Sequence, residues 1–278
     1  MAADESEMLP LWLDYYGRQL GRGNLYVLDD NSSDGSTDGL DCSVIRLPPA
    51  PWKRKWSKAR RGIVNGLSRA LLEVYDAVVF VDTDEFLVPD PAKYDGLRDY
   101  ITRRSDLDVM AGLGLDLLHD PDHEPPIDPS RRVLTQRSLV KVEPGMSKPS
   151  IKRIPEPWLA GGHGIRAEFG VDPDLLLIHL KYYDAGHLRR VAERRHAAHV
   201  VDGRGSRASA WVLDGDALDS RLRSWVAESA MELDTRSLAL PEPEWVSEKE
   251  SYRMFGGLET LDTGDLLRLP KRFSAVEL

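Results

Sequence analysis

Two aspartates separated by one residue, Asp82 and Asp84, follow the apolar run Ala77-Val78-Val79-Phe80-Val81 and precede Glu85-Phe86-Leu87. Carboxylates at alternate positions of a turn can face one side and share a hard divalent cation, which can also hold the phosphates of a substrate. Alone, Asp-x-Asp is a weak signal, because the same residues serve in solvated turns and as helix N-caps. The preceding run adds weight. Five consecutive apolar residues, three of them β-branched, predict a strand covered on both faces, as in a parallel sheet. Ligands of such sheets collect at the strand carboxyl ends. The stretch therefore reads as a buried strand that ends in a metal site.

The elements that must position this site can be read on either side of it. Leu9, Trp12, Leu13, Tyr16 and Leu20 recur at helical spacing, with Ser6 placed to cap the start and Gly21 or Gly23 to close the end. Asn24–Leu28 is a short apolar strand that runs into Asp29-Asp30-Asn31-Ser32-Ser33-Asp34-Gly35-Ser36, a cluster with turn chemistry. A carboxylate at such a strand end can also accept from the base or ribose of a nucleotide, which makes Asp29 and Asp30 candidates. Ser43–Leu47 predicts another strand, and Pro48, Pro49 and Pro51 end it.

A helix follows from about Ser57 to Tyr75, with Ala59, Ile63, Leu67, Ala70, Leu71 and Val74 on one side. Its first turns carry Lys58, Arg60 and Arg61, against the macrodipole, a placement suited to meeting phosphate, with Lys58 and Arg61 as the chosen candidates. Strand, helix and strand of this length imply a right-handed parallel crossover into Ala77–Val81. Further on, Tyr94–Arg104 predicts a helix and Val109–Leu115 a strand with Asp116 at its end. Leu118–Arg132 reads as an irregular acceptor-side loop, whose four prolines exclude a helical metal pair of His119 and His123. Lys148–Arg153 alternates like a strand. Glu156 and Trp158 then lead to His163, whose flanking glycines let the backbone pack closely and expose the imidazole to a cleft. Leu175–Ile178 is an apolar strand ending at His179, and Asp184 caps a basic helix through Arg195.

The 278 residues are 41% hydrophobic and 30% charged, which fits a globular chain with a sizeable core. With a net charge of −9 and its acids spread along the chain, the composition argues against nucleic-acid binding. The basic runs Lys53–Lys58 and Arg189–Arg195 read as solvated helix faces. No apolar run has the length of a membrane span, and the acidic first residues lack a signal-peptide core, so a cytoplasmic location is expected. Cys42 is the single cysteine, which excludes an intrachain disulfide and a thiolate metal cluster.

Three ordered segments together are more specific than any one. Leu9-Pro10-Leu11-Trp12-Leu13-Asp14-Tyr15-Tyr16-Gly17, then Leu25–Asp30 with Ser32 and Asp34-Gly35-Ser36, then Val81–Phe86 resemble the successive motifs of family 2-type nucleotide-sugar glycosyltransferases with a GT-A fold. The similarity covers about the first 115 residues well and continues more loosely to about residue 200. It implies an α/β, Rossmann-like mixed sheet, mostly parallel and flanked by helices. Residues 1–200 would form the GT-A-like domain and 201–278 a helical and irregular C-terminal extension, packed on or beside it. It implies that Asp30 meets the base or ribose, that Asp82 lies near ribose and metal, and that Asp84 ligates Mn²⁺ or Mg²⁺ on the diphosphate. The Lys-Pro, Trp, Gly-x-His progression resembles the same families and brings His163 into the active site. His179 resembles their His-bearing strand-to-helix junction, where the imidazole completes the metal shell or meets the diphosphate. Glu85 is read as orienting the loop.

The sequence departs from the pattern at its start, since relatives begin with an apolar strand just before the turn that Asp4-Glu5 resembles. The expected explanations, in order, are a true start upstream of Met1, another segment or partner chain in that slot, and a degenerate member that binds donor poorly. The expected reaction is sugar transfer from a nucleoside-diphosphate sugar to an acceptor hydroxyl, with inversion implied by the resemblance. The leaving diphosphate needs neutralisation by the metal, with Lys148, Lys152 or Arg61 as added cations. The acceptor needs a general base, for which Asp116, Glu156 and His163 stay open. Two rivals are a haloacid-dehalogenase-type phosphatase and a non-catalytic nucleotide-sugar-binding module. Donor, base, acceptor and homo-oligomeric state are left open.

Overall fold

A computed structural model describes the chain except residues 50–55, 203–214, 228, 239, 241–242, 247–251 and 255–265. Pro51 and the first half of the Lys53–Lys58 run lie outside the described residues.

In chain order the elements are α1 (Met8–Leu20), β1 (Tyr26–Asp29), β2 (Ser43–Arg46), α2 (Trp56–Leu71), β3 (Val78–Val79), β4 (Glu85–Pro89), α3 (Leu97–Arg103), β5 (Val109–Leu118) and α4 (Val133–Gln136). After these come β6 (Leu139–Val142), β7 (Ile151–Lys152), β8 (Trp158–Leu159), β9 (Gly164–Ile165), β10 (Val171–Tyr182), α5 (Ala185–Asp202), α6 (Gly215–Val226), β11 (Met231–Glu232), β12 (Glu244–Val246), β13 (Tyr252–Met254) and β14 (Leu267–Arg268). The fold is mixed α/β, and no helix among the described residues is long and apolar enough to cross a membrane.

The central sheet runs β11-β14-β6-β5-β10-β4, with β7 joining β5 to β3. β5 and β10 form its middle because their sequences are apolar on both faces: all ten residues of β5 are buried. The expected mostly parallel sheet is not what forms. β10 pairs parallel with β5 and β11 with β14, whereas β4, β6, β7 and the β3–β7 and β14–β6 contacts are antiparallel. The reason is connectivity: β10 returns between β4 and β5, two strands that are separated in the sheet, and runs against one and with the other. β1 and β2 pair parallel with each other but form a separate two-stranded sheet. The strand read at Ala77–Val81 is likewise shorter, reduced to a half-buried Val78–Val79.

α1 buries Met8, Leu9, Leu13, Tyr15 and Tyr16 and ends at Gly21, whose φ of 90° suits glycine. Ser6 does not cap it. Glu7 occupies that position without a side-chain cap bond, and the Ser6 amide donates to Asp34 instead. Two hydroxyls of α1 close the edge of β4 that β10 leaves open. Tyr15 donates to the Leu87 carbonyl at 2.6 Å, while Tyr16 donates to the Glu85 carbonyl and accepts from the Leu87 amide, both at 3.0 Å. Removing a buried hydroxyl strands its partner, at about 1–3 kcal/mol. Tyr15→Phe is therefore expected to lower unfolding free energy by about that much in urea titration, and an unchanged midpoint would remove this bond from the account.

The C-terminal segment contributes more than helix. α6 packs Leu218 and Leu222 with Leu188 and Ala192 of α5, but β14 extends the sheet beside β6, and Leu267, Leu269, Phe273 and Leu278 enter the main core.

Candidate active site

The Asp82–Asp84 turn joins β3 to β4 at the sheet surface reached by β5, β7 and β10, and its shape is set by the residue after it. The Glu85 carboxylate accepts from the Asp82 amide at 2.9 Å and pairs with Lys148 Nζ at 2.7 and 2.6 Å through its two oxygens. Both side chains are almost wholly buried. Burial disfavours the Lys148 charge, but Glu85 and Asp82 overcome it and hold the ammonium pKa above its ordinary value. Glu85 thus shapes the loop from behind, as read from the sequence. Lys148, named as a phosphate partner, spends its charge on Glu85.

The cation that reaches the turn is one the sequence reading passed over. Arg60 is ion-paired with Asp82 and lies over the rings of Trp56 and Phe80, 5.6 and 5.9 Å from their centroids. Its Nε is buried with no partner among the described residues. Burial raises the Asp82 pKa, yet Arg60 and Lys148 outweigh that and keep the carboxyl below its ordinary value. Helical spacing held the clue: Arg60 shares a face with Trp56, Ile63, Val64 and Leu67, whereas Lys58 is exposed and Arg61 borders a small cavity of about 50 Å³ beside Gly161 and Gly162.

Asp84 meets β10. In register, His179 sits opposite both Asp116 of β5 and Glu85 of β4. Its Nδ1 donates to Asp116 at 2.7 Å and its Nε2 lies 3.3 Å from Asp84. Asp116 is therefore inside a strand, two residues before its end, and not at the end as read. Removal from water lowers the pKa of this imidazole, but Asp84 and Asp116 reverse that and raise it to about 10. A histidine in an unfolded chain titrates near 6.5. Between those values the folded protein holds a proton the unfolded chain lacks, so this stabilisation is complete below pH 6.5 and is lost as pH rises toward 10. Lys152 acts the other way, because burial lowers it to about 8 and the unfolded chain holds the extra proton above that. The comparison of wild type with His179→Gln removes the lysine from the reading. In chelator, the stability difference is expected to shrink by roughly 2–3 kcal/mol from pH 7 to pH 9. A pH-independent difference in urea titration would refute the charged imidazole.

A tight turn brings further groups. The segment Pro144–Met146 crosses β5 so closely that a Cβ on Gly114 would lie 2.5 Å from the Met146 backbone. Its Gly145 carbonyl accepts from His163 Nδ1 at 2.5 Å, and its Gly145 amide donates to Glu143 at 3.1 Å. His163 therefore presents Nε2 as its acceptor nitrogen. Burial, then Lys148, lower its pKa, which favours the neutral ring. Glu143 was missed in the sequence. Burial and the Asp116 charge raise its carboxyl pKa, the property of a proton acceptor tuned toward neutrality. Only the fold reveals it, since Glu143 follows directly after β6 and its amide donates to the Gly114 carbonyl of β5, near Asp116.

The remaining candidates stand apart. Asp29 is fully buried and accepts from the Ser32 amide at 2.8 Å, with Arg46 at 3.0 Å from its other oxygen as an ion pair without hydrogen-bond alignment. It holds the turn. Asp30 accepts from the Trp56 indole at 2.7 Å, at the same end of α2 as Arg60. Lys152 lies 3.8 Å from the Trp158 ring centroid and donates to the Glu156 carbonyl at 2.6 Å. His119 accepts from the Ala185 amide and contacts the Glu124 carbonyl, bonds that fix the 119–132 loop.

Among the described residues, no three His, Cys, Asp or Glu side chains already converge on one cation position. Asp82 and Asp84 are instead satisfied by Arg60 and His179. No protein-family model matches the chain, and comparison with curated proteins and with solved structures found no match.

Proposed function

We propose that the chain is a metal-dependent glycosyltransferase that uses a nucleoside-diphosphate sugar and an acceptor hydroxyl. The observation that carries this reading is the Asp82–Asp84 turn, where two carboxylates, the Arg60 guanidinium and the His179–Asp116 pair meet at one strand junction. A hard cation such as Mg²⁺ needs only one or two protein carboxylates when substrate phosphates and water complete its shell. The donor set fits that requirement with oxygen ligands from Asp82 and Asp84 and, for Mn²⁺, a deprotonated His179. When bound, the metal supplies charge neutralisation to the leaving diphosphate.

The chain's own groups do the rest. Arg60, ion-paired with Asp82, would hold its guanidinium at the turn to meet the phosphates if that carboxylate ligated a metal. Glu85 and Lys148 hold the turn fixed, which limits reorganisation during transfer. Asp30 and Trp56, joined at 2.7 Å, offer a carboxylate and an aromatic face to the nucleoside. Asp116, Glu143 and His163 are the bases favoured to take the acceptor proton, Asp116 through its contact with His179 and Glu143 and His163 through the shared Gly145 turn.

The GT-A architecture and inversion at the anomeric carbon belong to this proposal. The test is donor hydrolysis and transfer with UDP-, GDP- and dTDP-sugars in Mn²⁺. Turnover of one nucleotide-sugar supports it. Turnover of an aryl phosphate alone would replace it by the phosphatase reading, and saturable binding without turnover by the binding-module reading.

A further inference from the structure

β5, β6 and β10 divide their residues between two faces of the central sheet. Leu115, Val140 and Ile178 enter the main core, whereas Leu118, Leu139 and Tyr182 pack on the other side with Leu188 of α5 and Leu222 of α6. Alternation places Asp116, Lys141 and His179 on that second face. Register sets them in one row, with His179 opposite Asp116 and Asp116 opposite Lys141. The row therefore starts at the imidazole beside Asp84 and ends at a lysine two strand spacings away, about 10 Å.

At its lysine end the row meets α6. The Trp225 ring packs edge to face with Tyr182 at 5.0 Å and 88°, and Lys141 Nζ lies 5.4 Å from the Trp225 centroid. Tyr182 in turn carries Lys181, whose Nζ is 4.7 Å from the phenol ring centre and whose charge acts on Glu143. Arg221, one turn before Trp225, lies 5.6 Å from the indole. Three cations thus gather on two aromatic rings in a chain whose net charge is −9. Contacts on both sides hold α6 in place: Arg223 pairs with Asp122 of the 119–132 loop, and Asp219 pairs with Arg189 of α5.

Trp225, Lys141 and Lys181 all keep part of their surface open to solvent, while Leu218 and Leu222 carry the burial of α6. An aromatic face beside a few fixed polar groups is how small-molecule sites are lined. Ammonium groups add charge-assisted bonds to a carboxylate or phosphate. Both lysines stand on flexible stems, so their ammonium groups can exchange an aromatic ring for an anion.

We propose that Trp225, Lys141 and Lys181 form the acceptor subsite, and that the acceptor is an acidic sugar whose ring stacks on Trp225 and whose carboxylate or phosphate pairs with the two lysines. The inference rests on the proposed transfer reaction for the acceptor role. Laid along the row, such a sugar would bring a hydroxyl to Asp116 and keep its anion at the far end, away from the like charges of Asp82 and Asp84. A neutral sugar would gain the ring contact alone.

The test measures binding to the full 278-residue chain by saturation-transfer NMR, with methyl glucuronide, glucose 6-phosphate and methyl glucoside as probes. At least one acidic probe is expected to bind about tenfold or more tightly than the glucoside, the size of one charge-assisted hydrogen bond. Lys141→Gln should remove that preference and Lys141→Arg should keep it, while Trp225→Ala weakens all three probes. Circular dichroism checks the fold of each variant. Equal binding of acidic and neutral probes, binding of none, or a preference that survives Lys141→Gln would overturn the subsite. Calorimetry with UDP and Mn²⁺ separates it from the reading it rests on. An acidic preference that tracks Lys141 in a chain that binds no UDP would keep the sugar site and remove the transferase reading, whereas UDP binding without that preference would overturn the subsite alone.

Discussion

Asp84→Asn is expected to abolish Mn²⁺-dependent binding of a nucleoside diphosphate while the protein stays folded. The substitution keeps the volume of the side chain and the backbone bond from the Leu180 amide to the Asp84 carbonyl at 2.8 Å, so the turn retains its anchor to β10. It removes a charge that a hard cation requires. Loss of a partner merely outside the ligand shell commonly costs about 10–100-fold in metal affinity. Loss of a direct ligand should cost at least the upper end of that range. Titration calorimetry of UDP with and without Mn²⁺ reads the effect, and circular dichroism checks the fold. Metal-dependent affinity equal to wild type would sink the assignment of Asp84. The variant also tests the imidazole, since His179 loses one of the two carboxylates that raise its pKa.

The second large effect is structural and lies one residue further on. Lys148→Met leaves Glu85 as a buried carboxylate without its cation, and breaking a buried pair from one side costs about 3–5 kcal/mol. For a chain of this size that corresponds to a fall in melting temperature of roughly 10 °C. The double variant Lys148→Met with Glu85→Gln should recover much of the loss, because a neutral amide can still accept from the Asp82 amide without carrying an unpaired charge. The single and double variants compared by denaturant titration decide it. Equal destabilisation in both would show that packing, and not charge, is what Lys148 supplies. The single variant should also weaken metal-dependent binding, through the displaced Asp82 turn.

How far the sequence could be read follows from the range of each interaction. α1 was readable almost to its ends because its apolar period and its closing glycine are local; its cap was not, because Asp34 takes the Ser6 amide from 28 residues away. β5 and β10 were readable as strands from the apolar runs Val109–Leu115 and Leu175–Ile178, whereas β4 was not read as a strand and the buried one expected at Ala77–Val81 is only a half-buried Val78–Val79. Strand directions were not readable, since an apolar run carries no record of which neighbour it will pair with. The resemblance pointed to Asp82, Asp84 and His179, and the fold brings Asp84 and His179 within 3.3 Å of each other. The cation paired with Asp82 was not legible in the sequence. Lys58, Arg60 and Arg61 are equivalent as charges, and only helix phase against Trp56 and Phe80 selects Arg60.

Sequence alone determined the kinds of element and the carboxylate turn, because helix period, apolar runs and an Asp-x-Asp spacing are properties of a few consecutive residues. Tertiary structure decided the rest: the antiparallel bias of the sheet, the pairing of His179 with Asp116 across 63 positions and the gathering of Glu143 beside them. Each depends on which strands become neighbours and in what register. That is settled by the simultaneous burial of distant apolar faces and by the partners left for buried charges, and no local stretch of chain carries it.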